Sequence, residues 1–476
     1  MGDSKSDRPR MAWRDYLAAI AQTDRLIEGS TPPGSKSSEQ IRAWAELRMA
    51  RLRGFLDFLG NPQNRYPIVH VGGTSGKGST STAIASILTE AGYRTGLHTS
   101  PYLQVATEKL QIDGHLIGGS RFSQLVESTL AEVDRWITDG GEALTYGELW
   151  VALLARYFAE EDVDISVVEV GAGGRFDLTN VVKPAVSVIT SVGLDHTVTL
   201  GATIPEIAWH KAGIIKAGVP VVSAVTDPLA RQPIVAEAAM QDAKLIEVRP
   251  GEAFEVVKWD AAGVHWQEPS TGLRFQLPLP GRFQAANGAT AVAAVRALAT
   301  SGSAVSDQAI HRGLSATRIP GRLELMPGPD RIILDGAHNP EKMGALVADL
   351  AKFAPRDAHQ RVIAVVGMLE SKEHRAMMKL LAPVIDEIVL TTPNVLAKPG
   401  ASTEALAEAV RGTGFAGQIL AEDVPRAALQ RALERSDAGR GDVVLVTGSL
   451  FVVGDVRGRW YAPENIVEQR TSWPRN

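Results

Sequence analysis

The stretch Val71-Gly72-Gly73-Thr74-Ser75-Gly76-Lys77-Gly78-Ser79-Thr80 constrains this chain more than any other. It follows the apolar run Pro67-Ile68-Val69-His70-Val71, which reads as a buried strand. It leads into Ser81-Thr82-Ala83-Ile84-Ala85-Ser86-Ile87-Leu88, which reads as a helix. A glycine-rich turn between a strand and a helix N-terminus aims several backbone N–H groups at one point. The helix dipole adds partial positive charge there, and Lys77 adds a full one. That is a phosphate cradle. Val71 stands where the first glycine of the commonest P-loop pattern would fall, and Gly78 separates Lys77 from Ser79. A bare glycine turn is the competing interpretation, and the strand–lysine–helix context weighs against it.

A chain of 476 residues exceeds one ordinary core, so two or three domains are expected. Lys plus Arg total 49 against 54 Asp plus Glu, which argues against a nucleic-acid partner because no basic surplus exists. The absence of cysteine excludes disulfides, zinc–thiolate sites and a cysteine nucleophile. Residues 1–7 lack the apolar core of a signal peptide, and no apolar run reaches membrane-spanning length. The expectation is a cytoplasmic protein with no membrane partner.

Residues 1–10 are polar and read as disordered. Trp13, Tyr16, Leu17, Ile20 and Leu26 recur at helical spacing over 11–28 before Ser30-Thr31-Pro32-Pro33-Gly34 breaks the pattern, and a second amphipathic helix is expected over 38–59. Buried-strand patterns then alternate with helices: 95–98, 164–170, 185–190 and 220–225. The sheet should be mostly parallel, with functional groups at the strands' C-terminal ends. Around Ile319-Pro320-Gly321-Arg322 the pattern turns irregular and reads as a hinge. A second, smaller parallel α/β domain follows, with strands at 332–335, 362–366, 387–391, 418–420 and 443–447. The tail beyond Asn465 is polar. The boundaries expected are an N-terminal extension over 1–37, an α/β domain carrying the phosphate loop over 38–318, a hinge over 319–325 and a C-terminal domain over 326–476.

Several strand ends carry polar groups. Glu169 precedes Gly171-Ala172-Gly173-Gly174; a dinucleotide fingerprint fails there because its third glycine would fall on Phe176. A hard oxygen ligand for Mg²⁺ beside nucleotide phosphates is the better use of Glu169, against a plain solvated strand end. Asp195-His196 closes the next strand and could face the same crevice or serve as structural hydrogen-bonders. Lys211, within Trp209-His210-Lys211-Ala212-Gly213, reads alone as a snorkelling helix lysine. Asp335-Gly336-Ala337-His338-Asn339-Pro340 and Thr447-Gly448-Ser449 could be ordinary helix caps.

Taken together and in order, these motifs resemble the folylpolyglutamate synthase/dihydrofolate synthase branch of the Mur ligase family. The resemblance runs through Gly60-Asn61-Pro62-Gln63, the phosphate loop, Thr99-Ser100-Pro101 and the run from Glu169 to Asn180. It continues through Gly193-Leu194-Asp195-His196, Lys211-Ala212-Gly213-Ile214, Leu279-Pro280-Gly281 with Asn287, Pro320-Gly321-Arg322, Asp335–Pro340 and Thr447–Ser449. It spans about residues 40 to 455. The fold it implies is α/β: a Mur-ligase-type central ATPase domain with a mostly parallel sheet, and a smaller Rossmann-like C-terminal domain.

The resemblance implies that Gly73, Thr74, Gly76, Lys77, Gly78 and Ser79 hold ATP phosphates, and that Asn287, Arg322 and Asp335 contact the nucleotide. Ser100, Glu169 and His196 would ligate Mg²⁺, two ions being expected. Lys211 matches the lysine this family carboxylates, and a carbamate beside Mg²⁺ avoids the repulsion an ammonium would meet. His338 and Ser449 would help bind the incoming glutamate; Thr145, Glu148, Phe176 and Asp177 would border the folate-type acid. The implied reaction is ATP-dependent amide formation through an acyl phosphate, with Lys77, Lys211 and His338 as the catalytic side chains and a monomer as the working unit.

The sequence departs from the family at Tyr102, Ala106, Gly147, Ala202, His210, Phe283 and Ile319, and around Arg48-Met49-Ala50-Arg51. Most of these fall on the acid-binding side, whereas the nucleotide and metal positions are kept. A Mur-type ligase acting on a different carboxylic acid is therefore the second reading, and a non-catalytic ATP-binding scaffold the third.

Overall fold

The structure is a computed structural model, and it describes residues 7–27, 38–353, 360–396 and 398–475. Its largest sheet has eight strands. In chain order they are β1 (Ile68–Gly72), β2 (Thr95–His98), β3 (Gln111–Ile112), β4 (His115–Leu116), β5 (Ile165–Glu169), β6 (Val186–Ile189), β7 (Val221–Ser223) and β8 (Leu245–Glu247). They lie in the order β4-β3-β2-β5-β1-β6-β7-β8, parallel from β2 to β8, with β3 and β4 as an antiparallel edge hairpin.

Helices cover both faces, and this is why the inner strands are continuous apolar runs. Val69 and Val71 pack on the helices Lys77–Glu90 and Gln284–Ala297, while Ile68 packs on Gly119–Thr138 and Tyr146–Glu160. β1 sits at the centre, so the loops after β1, β5 and β6 leave the same edge side by side. Ligands of open parallel sheets bind at such an edge.

A three-stranded antiparallel sheet, β9 (Glu255–Asp260), β10 (Gly263–Gln267) and β11 (Arg274–Leu277), lies in a region where the sequence reading named no strands. Trp266, Phe275 and Leu277 join the core against the helix Gln284–Ala297. Gly288 in that helix leaves the room that the Trp266 ring fills.

The third sheet contains β12 (Glu324–Leu325), β13 (Arg331–Leu334), β14 (Val362–Val366), β15 (Glu387–Leu390), β16 (Gln418–Ala421) and β17 (Val443–Thr447), in the order β12-β13-β17-β14-β15-β16. All pairs are parallel except β12–β13. Its five parallel strands fall within a residue or so of the positions read from sequence. The α/β class, a mostly parallel sheet with a smaller second α/β body, is the one expected.

Two readings change. The first helix is Asp7–Asp24 rather than 11–28, and the expected break at 30–35 lies outside the described residues. The tail is not a free polar end. A helix at Pro463–Gln469 buries Ile466 and Val467 beside Tyr16 and Phe122 of the first body, and Leu116 N donates to Arg470 O at 2.9 Å. Two apolar residues were enough to dock an otherwise polar segment. Between the bodies, the fully buried Arg457 donates to Glu324 at 2.8 and 2.9 Å and to Gln104 Oε1 at 2.6 Å. No described helix is long and apolar enough to cross a membrane.

Candidate active site

The phosphate loop is stapled to the end of β6. Thr74 N donates to Ser191 O, Ser75 N to Ser191 Oγ at 2.8 Å, and Thr190 Oγ1 to Ser75 O at 2.6 Å. Thr74 Oγ1 exchanges hydrogen bonds with Gly193 at 3.0 and 3.1 Å. Gly76, with φ +82°, is the N-cap of the helix Lys77–Glu90, so N–H groups of the first turn face outward unpaired. A Cβ on Gly76 would collide with the Asn287 carboxamide, and one on Gly73 with the Thr190 hydroxyl. Asn287 reaches the loop from the helix Gln284–Ala297, where Gln284 Oε1 accepts from its Nδ2 at 2.8 Å. Lys77 Nζ donates to Gly73 O at 3.0 Å.

Glu169, at the end of β5, is buried beside the loop. Ser100 N donates to its Oε2 at 3.1 Å, and a Cβ on Gly78 would lie 3.6 Å from the same oxygen. Burial raises its pKa, and the charge of Lys77 only partly offsets that. A buried carboxylate with so little compensation fits a divalent cation. Among the described residues no three His, Cys, Asp or Glu side chains cluster for a metal. An ion here would need the Ser100 hydroxyl and ligand oxygens as well. His196 follows β6 in a left-handed conformation (φ +53°) and is exposed.

Lys211, on the helix Ile204–Ala212, is only 2% exposed, and its Nζ has no hydrogen-bond partner among the described residues. Burial, reinforced by repulsion from Lys77, lowers its pKa to about 7. A substantial neutral fraction at physiological pH makes it a usable nitrogen nucleophile, which an ordinary lysine is not.

The second body presents the end of β13 to this edge. Asp335 spends both carboxylate oxygens on backbone, accepting from Leu323 N at 3.0 Å and Ala337 N at 2.9 Å. His338 Nδ1 lies 2.8 Å from Gly336 O and its Nε2 lies 3.0 Å from Lys342 Nζ. Nδ1 therefore carries the proton, and Nε2 accepts from the lysine. Burial, followed by the charge of Lys342, holds the His338 pKa well below the usual imidazole range. Ser449 caps the helix Leu450–Arg457, its Oγ accepting from Phe451 N at 3.2 Å. Asp195 joins the bodies: Lys372 Nζ donates to Oδ1 at 3.1 Å and Asn339 Nδ2 to Oδ2 at 3.2 Å.

Beyond Ser100 opens a cavity of about 1140 Å³, walled by Tyr146, Trp150, Phe176, Trp209 and His210 with Lys109 and Asp177 among its polar groups. Phe176 and Asp177 line it. Thr145 and Glu148 do not. They form the capping box of the helix Tyr146–Glu160, with Arg51 Nε and Nη2 donating to Glu148 at 2.7 and 2.8 Å and Arg48 Nη2 to Thr145 Oγ1 at 2.9 Å. The room that a side chain at Gly147 would need is taken by Arg48 and Leu178.

Three lysines escaped the sequence reading. Lys109 Nζ sits 3.6 Å above the Trp150 ring in the cavity wall, its pKa lowered to about 7 by burial. Lys342 and Lys372 belong to the second body. Only Lys342 carried a usable signal, standing four residues after His338 at the start of a helix, where side chains meet.

A phosphate loop on one α/β body, facing the polar strand ends of another beside a deep aromatic cavity, defines a two-body nucleotide-dependent enzyme. The Mur ligase middle domain matches residues 71–295, and the Mur ligase glutamate ligase domain matches residues 321–450. A dihydrofolate synthase/folylpolyglutamate synthase of Bacillus subtilis is 34% identical over 458 residues, covering 88% of this chain and 98% of its own. A probable bifunctional folylpolyglutamate synthase/dihydropteroate synthase of Halobacterium salinarum is 35% identical over 411 residues, 84% of this chain. The chain spans about half of that longer protein, 48% of its length. Mycobacterium tuberculosis folylpolyglutamate synthase, solved with ADP and AMPPCP, superposes with a TM-score of 0.79 at 29% identity, covering 93% of this chain and 98% of its own. The chain belongs to the Mur ligase family, in its folylpolyglutamate/dihydrofolate synthase branch. It is an ATP-dependent ligase.

Proposed function

We propose that this protein joins L-glutamate to a folate-type carboxylic acid, dihydropteroate or a reduced folate, with ATP as the driving reactant. The observation that carries this reading is the adjacency of the phosphate loop to the aromatic cavity through Ser100 and Glu169. A flat heteroaromatic acid stacked between such walls would present its carboxylate toward the γ-phosphate.

A carboxylate oxygen of the acid attacks the γ-phosphorus as the bond to ADP breaks, giving an acyl phosphate. The glutamate nitrogen, after losing a proton, attacks the acyl carbon, and phosphate leaves with the C–O electron pair. Loop N–H groups and Lys77 hold the phosphates, with Gly73, Thr74, Gly76, Gly78 and Ser79 shaping the cradle and Asn287 closing it. Arg322 and Asp335 meet the nucleotide from the second body. Glu169, Ser100 and His196 would hold Mg²⁺, which would neutralise charge on the phosphates, with two ions proposed. Lys211 is proposed to be carboxylated, and its lowered pKa favours the neutral amine that carbamate formation requires. His338 and Ser449 border the amino-acid side, while Phe176 and Asp177 border the acid. Thr145 and Glu148 act one layer behind, by fixing the helix that carries Trp150.

The working unit is proposed to be a cytoplasmic monomer that needs neither membrane nor nucleic acid, with domains at 38–318 and 326–476 turning about 319–325. ADP release from purified protein with ATP, L-glutamate and dihydropteroate or tetrahydrofolate tests the reading. Glutamate-dependent turnover on either acid supports it; tight ATP-analogue binding without turnover on any pteroate or folate overturns it. The arrangement of Arg48 and Leu178 against Gly147 favours one alternative, a different aromatic acid, and a screen of acceptor acids at fixed ATP would reveal it.

A further inference from the structure

Lys342 stands on the first turn of the helix Pro340–Phe353, and that turn lies against the flank of the phosphate loop. A Cβ on Gly193 would run into the Glu341 carboxylate, and Gly193 is itself hydrogen-bonded both ways to Thr74 of the loop. The turn is pinned in place. Lys342 N donates to Asn339 Oδ1 at 2.9 Å, and Asn339 Nδ2 donates to Asp195 Oδ2 at 3.2 Å. His338 Nε2 accepts from Lys342 Nζ at 3.0 Å, while Gly336 O holds the opposite ring nitrogen, so the ammonium has one neutral partner and a fixed direction.

The charges around it do not balance. Burial, then repulsion from Lys77 of the loop and from Arg322, lowers the Lys342 pKa to about 7, so an anion bound beside it would restore its full charge; Lys211 in turn is repelled by both Lys77 and Lys342. Four acids face these cations: Asp195 is taken by Lys372 and Asn339, Asp335 by two backbone N–H groups, Glu169 accepts from Ser100 N, and Glu341 lies beside Gly193. Lys77, Arg322, Lys211, Lys342 and Lys372 therefore converge from both bodies on four acids, and the positive excess fits an anion.

We propose that Lys342 is a catalytic cation delivered from the second body, which contacts the transferring phosphoryl group opposite Lys77. This rests on the acyl-phosphate reading above. In the first half-reaction the acid's oxygen bonds to the γ-phosphorus while the bond to the ADP oxygen breaks and its electron pair leaves with ADP. Lys342 donates hydrogen bonds to the equatorial phosphoryl oxygens and keeps its proton. His338 is then a positioning residue that aims the ammonium. Phosphoryl transfer would be fast only when the second body lies against the loop, which protects ATP from hydrolysis in open forms.

The test uses the full chain and its Lys342→Ala, Lys342→Gln and Lys342→Arg variants. Acyl phosphate formed from ATP and the acceptor acid in the absence of glutamate is trapped as a hydroxamate with hydroxylamine. The expected result is a hundredfold or greater loss of trapping rate in the Ala and Gln variants, on the order of one oxyanion-type donor, and at least tenfold recovery in Lys342→Arg. Binding of a non-hydrolysable ATP analogue and the melting temperature should stay near wild type. A tenfold or larger rise in KM for glutamate with unchanged trapping would overturn the proposal in favour of an amino-acid-binding lysine. Unchanged kinetics throughout would also overturn it. If wild-type protein traps no hydroxamate with any pteroate or folate, the acyl-phosphate reading itself fails, a result distinguishable from failure of Lys342 alone.

Discussion

Lys372 Nζ and Asp195 Oδ1 lie 3.1 Å apart across the junction of the two bodies, both side chains largely shielded from water at 16% and 12% exposure. Asp195 follows β6 of the first body; Lys372 follows β14 of the second. The pair closes the space between phosphate loop and second sheet. Lys372→Ala leaves a shielded carboxylate short of one donor, a loss of about 1–3 kcal/mol. If closure is required for chemistry, kcat/KM falls tenfold to a hundredfold while affinity for a non-hydrolysable ATP analogue changes little. Equal loss of analogue binding would mean the pair builds the nucleotide site rather than the closed form.

Gly76 is a position in the loop that has no room for a side chain. Its φ is +82°, and the Asn287 carboxamide occupies the space a methyl would need. Gly76→Ala should cost about 1–3 kcal/mol of backbone strain and displace Asn287, weakening ATP-analogue binding at least tenfold by calorimetry. Gly92→Ala supplies the control. Its φ is +94° with nothing within 4 Å, so the strain is similar but nucleotide affinity should be untouched.

The lowered pKa of Lys211 has consequences for both stability and chemistry. Its folded value, about 7, lies below the ordinary 10.5, so the folded chain binds fewer protons than the unfolded chain between those values. Stability contributed by this group therefore rises with pH from about 7 to 10.5, and the full penalty of a buried ammonium is present below 7. Carbamate formation draws on the neutral amine, so activity should fall as pH drops through 7 and should depend on dissolved bicarbonate. Isotopically labelled bicarbonate should give a carbamate resonance that vanishes in Lys211→Arg, with at least a hundredfold loss of kcat. Full activity in that variant would exclude the modification.

Glu148 makes a different prediction from the cavity residues. It is fully buried, accepts from Arg51 twice and from Thr145 N at 2.7 Å, and does not itself line the cavity. Glu148→Ala takes from Arg51 its buried partner, leaving it only the exposed Glu142, and removes the capping box, costing about 3–5 kcal/mol of stability. The melting temperature should drop sharply while KM for the acceptor acid in the surviving folded fraction stays within threefold. A large KM change without a melting change would restore Glu148 as a direct substrate ligand.

By itself the sequence determined the phosphate loop, the parallel strands and the order of motifs along both bodies, because these rest on local chemistry. A glycine-rich turn between an apolar strand and a helix means the same thing wherever it folds. Glu169 and Asp195 are placed on one edge of the first sheet by parallel topology, and Asp335 at the corresponding edge of the sheet in the second body. Only the tertiary structure decided what depends on partners distant in the chain. Thr145 and Glu148 are local in sequence to the cavity helix, yet Arg48 and Arg51, almost a hundred residues earlier, turn them from cavity groups into a cap. The short strands β9 to β11 are half exposed, so their pattern is diluted, and they exist because Trp266 finds the gap over Gly288. The polar tail docks because Ile466 and Val467 find a core built by residues 16–122. Lys342 looks like any surface helix lysine until the helix is set against the phosphate loop, where the charges of Lys77 and Arg322 give it a reason to meet an anion. Charge and burial are properties of what surrounds a residue, and those surroundings are assembled only when the chain folds.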